Sequence, residues 1–150
     1  KKILLCGNGG SASQADHMAA EMIVRLNPKN NRKPLPAISL TMDSATLTAC
    51  INDFSKEVLF SRSIEALGNK NDLLIAISTS GNSLNILKAI QMAKKMKMHV
   101  LSFIGNDGGK QKRLSKNNLI IKGTNTARIQ EVQLFLGHLI FDQVEKKIFK

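Results

Sequence analysis

The chain has no tryptophan, no tyrosine, six phenylalanines, three prolines and two cysteines. With so few rings, the aromatic platforms on which single-stranded nucleic acid stacks are scarce. Cys6 and Cys50 form no disulfide framework and lack the paired spacing of a zinc site, which points to a reducing, cytoplasmic setting. No apolar run approaches the length needed to cross a bilayer, and no secretory signal pattern is visible. Acidic residues are few as well: 11 Asp and Glu stand against 22 Lys and Arg, for a formal net charge of +11. That excess raises nucleic acid as a partner. The basic residues, however, are spread over Lys29–Lys33, Lys88–Lys97, Lys110–Lys116 and Lys146–Lys150, and a solvated surface that attracts anionic substrates accounts for them. Neither nucleic acid nor membrane is expected as a partner.

What the chain does have is a set of short apolar runs alternating with helical periodicity. The 150 residues, 43% hydrophobic, suit one domain with a sizeable core. Strands are predicted at Ile3–Cys6, Ala37–Leu40, Leu73–Ile77, His99–Ile104 and Leu119–Ile121. Helices are predicted after the first glycine cluster, through Leu47–Ile51, over Val58–Leu67, over Ser83–Lys97, briefly around Lys112–Leu114, and from about Thr126 to the end. Strands alternating with helices imply parallel βαβ units with right-handed crossovers, hence a three-layer α/β/α sandwich on a five-stranded parallel sheet. No linker, repeat or low-complexity tract divides residues 1–150. A strand already under way at Lys1-Lys2-Ile3-Leu4-Leu5 lacks a lead-in, so a preceding N-terminal segment is expected.

The stretch Asp72–Ser83, DLLIAISTSGNS, joins a buried strand through a hydroxyl-rich turn to a helix. Ser78, Thr79, Ser80 and Ser83 and a set of unpaired backbone N–H groups therefore collect at one helix N-terminus, where an anion is favoured. The turn has neither the Lys nor the spacing of a Walker loop, so a phosphate monoester suits it better than a nucleotide. The competing reading is that Ser83 merely caps the helix. Ligands of such sheets sit beyond the carboxyl ends of the strands, where the topology reverses. That rule gathers four loops: Asn8–Ser11, Thr41–Ser44, Ser78–Ser83 and Gly105–Gly109.

In the first loop, Gly7-Asn8-Gly9-Gly10-Ser11 permits close backbone approach. It is not GxGxxG and no acidic residue follows at the distance that would hold a ribose, which argues against a dinucleotide. His17 and Glu21 are four apart and share a helix face; they form either a divalent-metal pair, a His-oriented base, or a plain surface pair. Gln130 and His138, eight apart on the closing helix, diverge by roughly 80° and about 12 Å, so both reach one ion only from its two sides. Asp43 reads as a cap for the following helix or as a ligand acceptor, and spacing alone favours the cap. His99 opens a strand and reads as structural.

The segments CGNGGSA (Cys6–Ala12), HMAAE (His17–Glu21), NDF (Asn52–Phe54), FSRSIEALG (Phe60–Gly68), ISTSGNS (Ile77–Ser83) and TARIQEVQLFLGH (Thr126–His138), taken in order, resemble the phosphoheptose isomerase branch of the SIS, or sugar isomerase, domains. The resemblance implies a SIS-type, flavodoxin-like, doubly wound fold. It also implies conversion of sedoheptulose 7-phosphate to D-glycero-D-manno-heptose 7-phosphate through an enediol, in bacterial surface-polysaccharide precursor synthesis. On that resemblance Glu21 is the base and His138 its acid/base partner. His17, Glu21, Gln130 and His138 match a zinc set, Ser78, Thr79, Ser80 and Ser83 the phosphate contacts, and Asn8, Gly9, Ser11, Glu21, Asp43 and Gln130 contacts to the rest of the sugar. A homotetramer and an additional N-terminal helical segment are implied as well. Leu26, Ala127 and Phe54 depart from residues common in that family, and none belongs to the proton-transfer pair. A non-catalytic SIS protein that binds a phosphosugar or a protein partner, such as the replication-initiator-associating relatives, would share the ISTSGNS turn; a Glu21–His138 pair favours the enzyme.

Overall fold

The computed structural model describes residues 1–41 and 43–149; Met42, in the turn expected at Thr41–Ser44, and Lys150, the last residue of the helix expected from Thr126 to the end, lie outside them. The strands are β1 (Ile3–Cys6), β2 (Ala37–Ser39), β3 (Leu73–Ser78), β4 (His99–Gly105) and β5 (Asn117–Ile121). The helices are α1 (Gly10–Ile23), α2 (Ser44–Asp53), α3 (Leu59–Leu67), α4 (Leu84–Lys95), α5 (Gln111–Leu114) and α6 (Thr126–Ile148). All strand pairings are parallel, in the order β2-β1-β3-β4-β5. This is the doubly wound α/β arrangement expected, with its topological switch point between β1 and β3.

Strand geometry sorts the apolar residues onto two faces. Leu4, Cys6, Leu74, Ala76 and Val100 pack with Phe60, Ile64, Ile86 and Ile90 beneath α3 and α4. Leu5, Ile75, Ile77 and Phe103 face the other way, onto Ala15, Met18, Met22 and Phe141 of α1 and α6. The central run Leu74–Ile77 is at most 1% exposed, as a strand covered on both sides must be. Each such Leu or Ile contributes roughly 1.5–3 kcal/mol by burial.

Boundaries differ from the sequence reading where polar residues complete an element. β3 runs on to Ser78, which pairs with Ile104. β5 begins at Asn117 because edge position tolerates polar residues, and Asn118 Nδ2 bonds the Lys112 and Ser115 carbonyls. α4 stops at Lys95, ahead of the left-handed Lys97 (φ +59°). At the sheet end remote from the strand C-termini, the buried Asp72 carboxylate accepts from Lys2 N (3.0 Å), Lys2 Nζ (2.6 Å) and Asn69 N (2.9 Å). Burial pushes its pKa up, and these donors more than offset that and hold it below the ordinary value.

α1 and α6 pack side by side in parallel. Gln14 Nε2 donates to the Gln130 carbonyl (2.5 Å) at one end, Met18 lies against Gly137 in the middle, and Leu26 N donates to Glu145 Oε1 (3.0 Å) at the other. A Cβ on Gly137 would come within 2.9 Å of Met18 Cε, so glycine there sets how closely the helices approach.

Candidate functional site

Two strand-to-helix turns meet at the switch point. After β1, Gly9 takes φ +55° as the N-cap of α1, a backbone region that suits glycine. After β3, Ser78 Oγ accepts from Gly81 N (3.1 Å) and Ser80 Oγ from Asn82 N (3.2 Å). Asn8 and Asn85 exchange reciprocal amide bonds (3.0 and 2.8 Å), tying the first turn to the start of α4. Between the turns lies a small polar pocket lined by Asn8, Ser11, Ile77, Ser78, Thr79 and Ser83. It borders the N-termini of α1 and α4, both of which carry positive partial charge. Ser83 is the N-cap of α4, yet its hydroxyl makes no capping bond. Ser80 is half-buried and is occupied within the turn.

The other two loops take different parts. Gly105–Gly109 backs the serine-rich turn: Asn106 Nδ2 donates to the Thr79 carbonyl (3.1 Å), Gln111 N to the Gly81 carbonyl (2.9 Å) and Lys110 N to Asn82 Oδ1 (3.1 Å). A Cβ on Gly105 would run into the Thr79 carbonyl, and one on Gly81 into that of Gly108. This loop is a buttress. In the third loop Asp43 caps α2, accepting from Ala45 N (3.0 Å), Thr46 N (3.2 Å) and Thr46 Oγ1 (2.5 Å). The Thr46 hydroxyl, followed by the backbone donors, holds the Asp43 carboxyl below its usual range. Cys6, at the end of β1, is pushed up to about 12 by burial; its thiol stays protonated and is no nucleophile.

About two turns down α1 from the pocket, the second cluster forms. Glu21 Oε1 lies 3.1 Å from His17 Nε2 and 3.3 Å from His138 Nε2, and the two imidazole nitrogens are 3.1 Å apart. The Glu21 side chain is 14% exposed, His138 37% and His17 50%. Three electron-rich atoms so close together call for a positive centre, either a shared proton or a cation. Their 3.1–3.3 Å edges match the roughly 3.3 Å ligand–ligand separation that tetrahedral zinc with ligands near 2.05 Å requires, and two imidazoles with one carboxylate are a catalytic-zinc donor set. Glu21 Oε2 is buried and has no hydrogen-bond partner among the described residues. The residues fit the ion that the sequence resemblance implies.

Of the residues singled out in the sequence, the structure therefore brings His17, Glu21 and His138 together. It groups Asn8, Ser11, Ser78, Thr79 and Ser83 at the pocket, with Gly9 at its rim. Gln130 does not join the triad. Its side-chain amide rests against Gly10, where a Cβ would collide with it, seven residues and about 10 Å of helix rise before His17. Asp43 serves α2 as its cap. Sequence reading passed over Gln14, Arg32 and Glu145, whose hydrogen bonds bridge the two helices carrying the triad; only three-dimensional packing relates them. A mid-chain Arg in a polar run and a Glu on a basic helix end carry no distinguishing signal.

These features define a doubly wound α/β domain whose switch-point pocket and imidazole–carboxylate cluster share one helix. The SIS domain family model matches residues 1–105. A phosphoheptose isomerase of Helicobacter pylori is 53% identical over 97% of this chain and 74% of its own length. That of Paramagnetospirillum magneticum is 51% identical over 96% and 74%. The solved phosphoheptose isomerase of Neisseria gonorrhoeae superposes with a TM-score of 0.90 at 42% identity, over 97% of this chain and 76% of that one. The chain belongs to the SIS domain family, within its phosphoheptose isomerase branch.

Proposed function

We propose that the chain is an aldose–ketose isomerase that interconverts sedoheptulose 7-phosphate and D-glycero-D-manno-heptose 7-phosphate, in bacterial heptose precursor synthesis. The observation that carries this reading is the convergence of His17, Glu21 and His138 on the helix whose first turn lines the polar pocket. The phosphate sits at the α1 and α4 N-termini, held by Ser78, Thr79 and Ser83, with Asn8, Gly9 and Ser11 along the sugar. Six residues from Ser11 to His17 rise about 9 Å, on the scale of an open-chain sugar phosphate. Anchoring the far end orients the reacting carbons.

Glu21 removes the proton from C1 of the ketose, and the C–H electron pair becomes the C1–C2 double bond of an enediol. The same carboxylate returns the proton to C2, leaving the carbonyl at C1. His138 donates a proton to the carbonyl oxygen as the enediol forms and takes one from the other hydroxyl as it collapses. Oε1 is the oxygen turned toward both imidazoles, while Oε2 is buried and has no hydrogen-bond partner among the described residues. His17, Glu21 and His138 are the residues that would hold a zinc ion, with Gln130 a fourth donor if its side chain turns. Bound there, the ion would supply Lewis-acid polarisation of the substrate oxygens.

The half-open triad and the exposed stripe Val132, Phe135 and Leu139 on α6 support an assembly of copies that covers both, the homotetramer of the family resemblance, and the two free cysteines support a reducing, cytoplasmic setting. Among the described residues no helix is long and apolar enough to cross a membrane. A non-catalytic phosphosugar-binding regulator would use the pocket but would have no task for the triad. The deciding test incubates the protein with sedoheptulose 7-phosphate in D2O. Aldose formation is expected, with deuterium at C2 wherever the proton held on Glu21 exchanges with solvent before its return; absence of both product and exchange would overturn the reading. Metal content before and after chelation, measured beside the rate, tests zinc.

A further inference from the structure

Arg32 lies in the polar segment between α1 and β2, and its side chain is fully buried. Its guanidinium makes five contacts. Nη2 donates to the Glu21 carbonyl (2.7 Å), and Nη1 to the carbonyls of Met22 (2.9 Å) and Lys33 (3.1 Å). Nε donates to Glu145 Oε1 (2.5 Å), and the Phe149 ring centroid lies 5.8 Å from the guanidinium carbon. Glu145 is 2% exposed, and its carboxylate also accepts from Leu26 N (3.0 Å) and Asn30 Nδ2 (3.4 Å).

The last carbonyls of a helix need partners. α1 ends without a glycine or a basic residue in its last turn, and Arg32 supplies donors from outside the helix, sharing the Met22 carbonyl with Leu35 N (3.1 Å). One of the carbonyls it takes belongs to Glu21 itself. Glu145, the other partner, stands seven residues beyond His138 on α6, two turns along nearly the same face. Arg32 thus ties the backbone of the triad's carboxylate to the helix that bears the triad's far imidazole. On the other side of the triad, Gln14 and the Gln130 carbonyl make the matching tie. A buried ion pair adds little stability over an apolar pair of similar size, but its fork geometry fixes direction and distance.

We infer that Arg32, paired with Glu145, is a positioning residue for the isomerisation: it sets the register of α1 against α6 that brings Glu21 and His17 to His138. The inference rests on the isomerase reading above for its kinetic consequence, and on geometry alone for its structural one.

Two variants test it. R32K keeps a charge opposite Glu145 but loses the planar fork; R32M/E145L removes both charges together, so that neither is left buried alone. The chain has three histidines, so its imidazole proton resonances are few, and the His17 and His138 rings, with centroids 5.3 Å apart, give an inter-ring nuclear Overhauser effect that needs neither substrate nor metal. In either folded variant this signal is expected to weaken or vanish while the His99 resonances stay in place. kcat should fall about 10- to 100-fold, with KM for the phosphosugar within about twofold because the pocket lies elsewhere. A folded variant with the ring contact and kcat unchanged overturns the inference. Loss of the folded state in both variants also overturns it and assigns the pair to stability alone. If wild-type protein shows the ring contact but no isomerase activity, the functional reading fails while the ring signal in the variants still decides the alignment.

Discussion

The serine-rich turn and the histidine–carboxylate triad solve their problems in different ways. The turn is made by six consecutive residues, and its shape is held by backbone: hydroxyls bonded to amides two and three residues on, and a glycine loop packed too closely behind it to admit a Cβ. The triad joins a His17–Glu21 pair four residues apart on α1 to an imidazole 121 residues from His17, and nothing local brings His138 to that pair. Its shape follows from how α1 docks on α6, through Gln14, Gly137 and the Arg32–Glu145 pair. A binding turn of the first kind survives most changes elsewhere in the fold. A catalytic cluster of the second kind answers to residues far from any substrate. Substitutions at the two ends should therefore separate cleanly in kinetics, with kcat moving at one and KM at the other.

The largest effect belongs to Glu21. Glu21→Gln keeps the side-chain volume and removes the proton acceptor, so kcat should fall by about 10³-fold or more, within the range for a lost general base. Calorimetric titration with the sugar phosphate should still show binding, since the pocket residues are untouched. His138→Ala should follow at about 10²-fold in kcat, again with KM little changed. Comparable loss of binding in both variants would break the division between the two ends.

That division also explains what the residue order discloses. The run LLIAI followed by STSGNS announces a buried strand and an anion-favouring turn, because strand, turn and helix N-terminus are local features with local chemistry. The parallel sheet follows from the alternation, and His17 with Glu21 from a four-residue spacing. What spacing alone does not convey is the arrangement between helices. The face of α6 that meets α1 depends on tertiary packing, and Gln130 illustrates the consequence: it shares a helix with His138, yet rests on Gly10 instead of turning into the cluster. Arg32 sits in a polar stretch with nothing in the chain to set it apart from its surface lysine neighbours. β5 begins two residues early for a similar reason, since its asparagines look like turn residues until the edge of a sheet receives them.

A middle-sized effect separates capping from anion binding at the turn itself. Ser83→Ala removes a hydroxyl that makes no capping bond in this structure, so Tm should stay within about 1 °C, whereas a lost cap costs about 1 kcal/mol, or roughly 2–4 °C at this chain length. If the hydroxyl meets phosphate, KM should rise about tenfold, equivalent to one hydrogen bond to a charged group, with kcat nearly constant. A drop in Tm with KM unchanged would return Ser83 to the role of a simple cap and leave the pocket to Ser78 and Thr79.

The smallest effect is expected at Asp43, where the comparison turns on a residue that the sequence resemblance places at the ligand and the structure places at a helix end. Its folded pKa lies below its ordinary value, chiefly because of the Thr46 hydroxyl. The folded state therefore binds fewer protons than the unfolded one in this range. The contribution is present above the ordinary carboxylate pKa and is lost as pH falls through the folded value. Asn caps helices as well as Asp does, so Asp43→Asn should leave Tm near neutral pH and KM both unchanged. It should make the fall in Tm below about pH 4 slightly shallower, because one titrating cap has gone. Thermal unfolding across that range, beside KM at neutral pH, checks both halves. A raised KM with an unaltered acid profile would move Asp43 from the helix end back to the substrate.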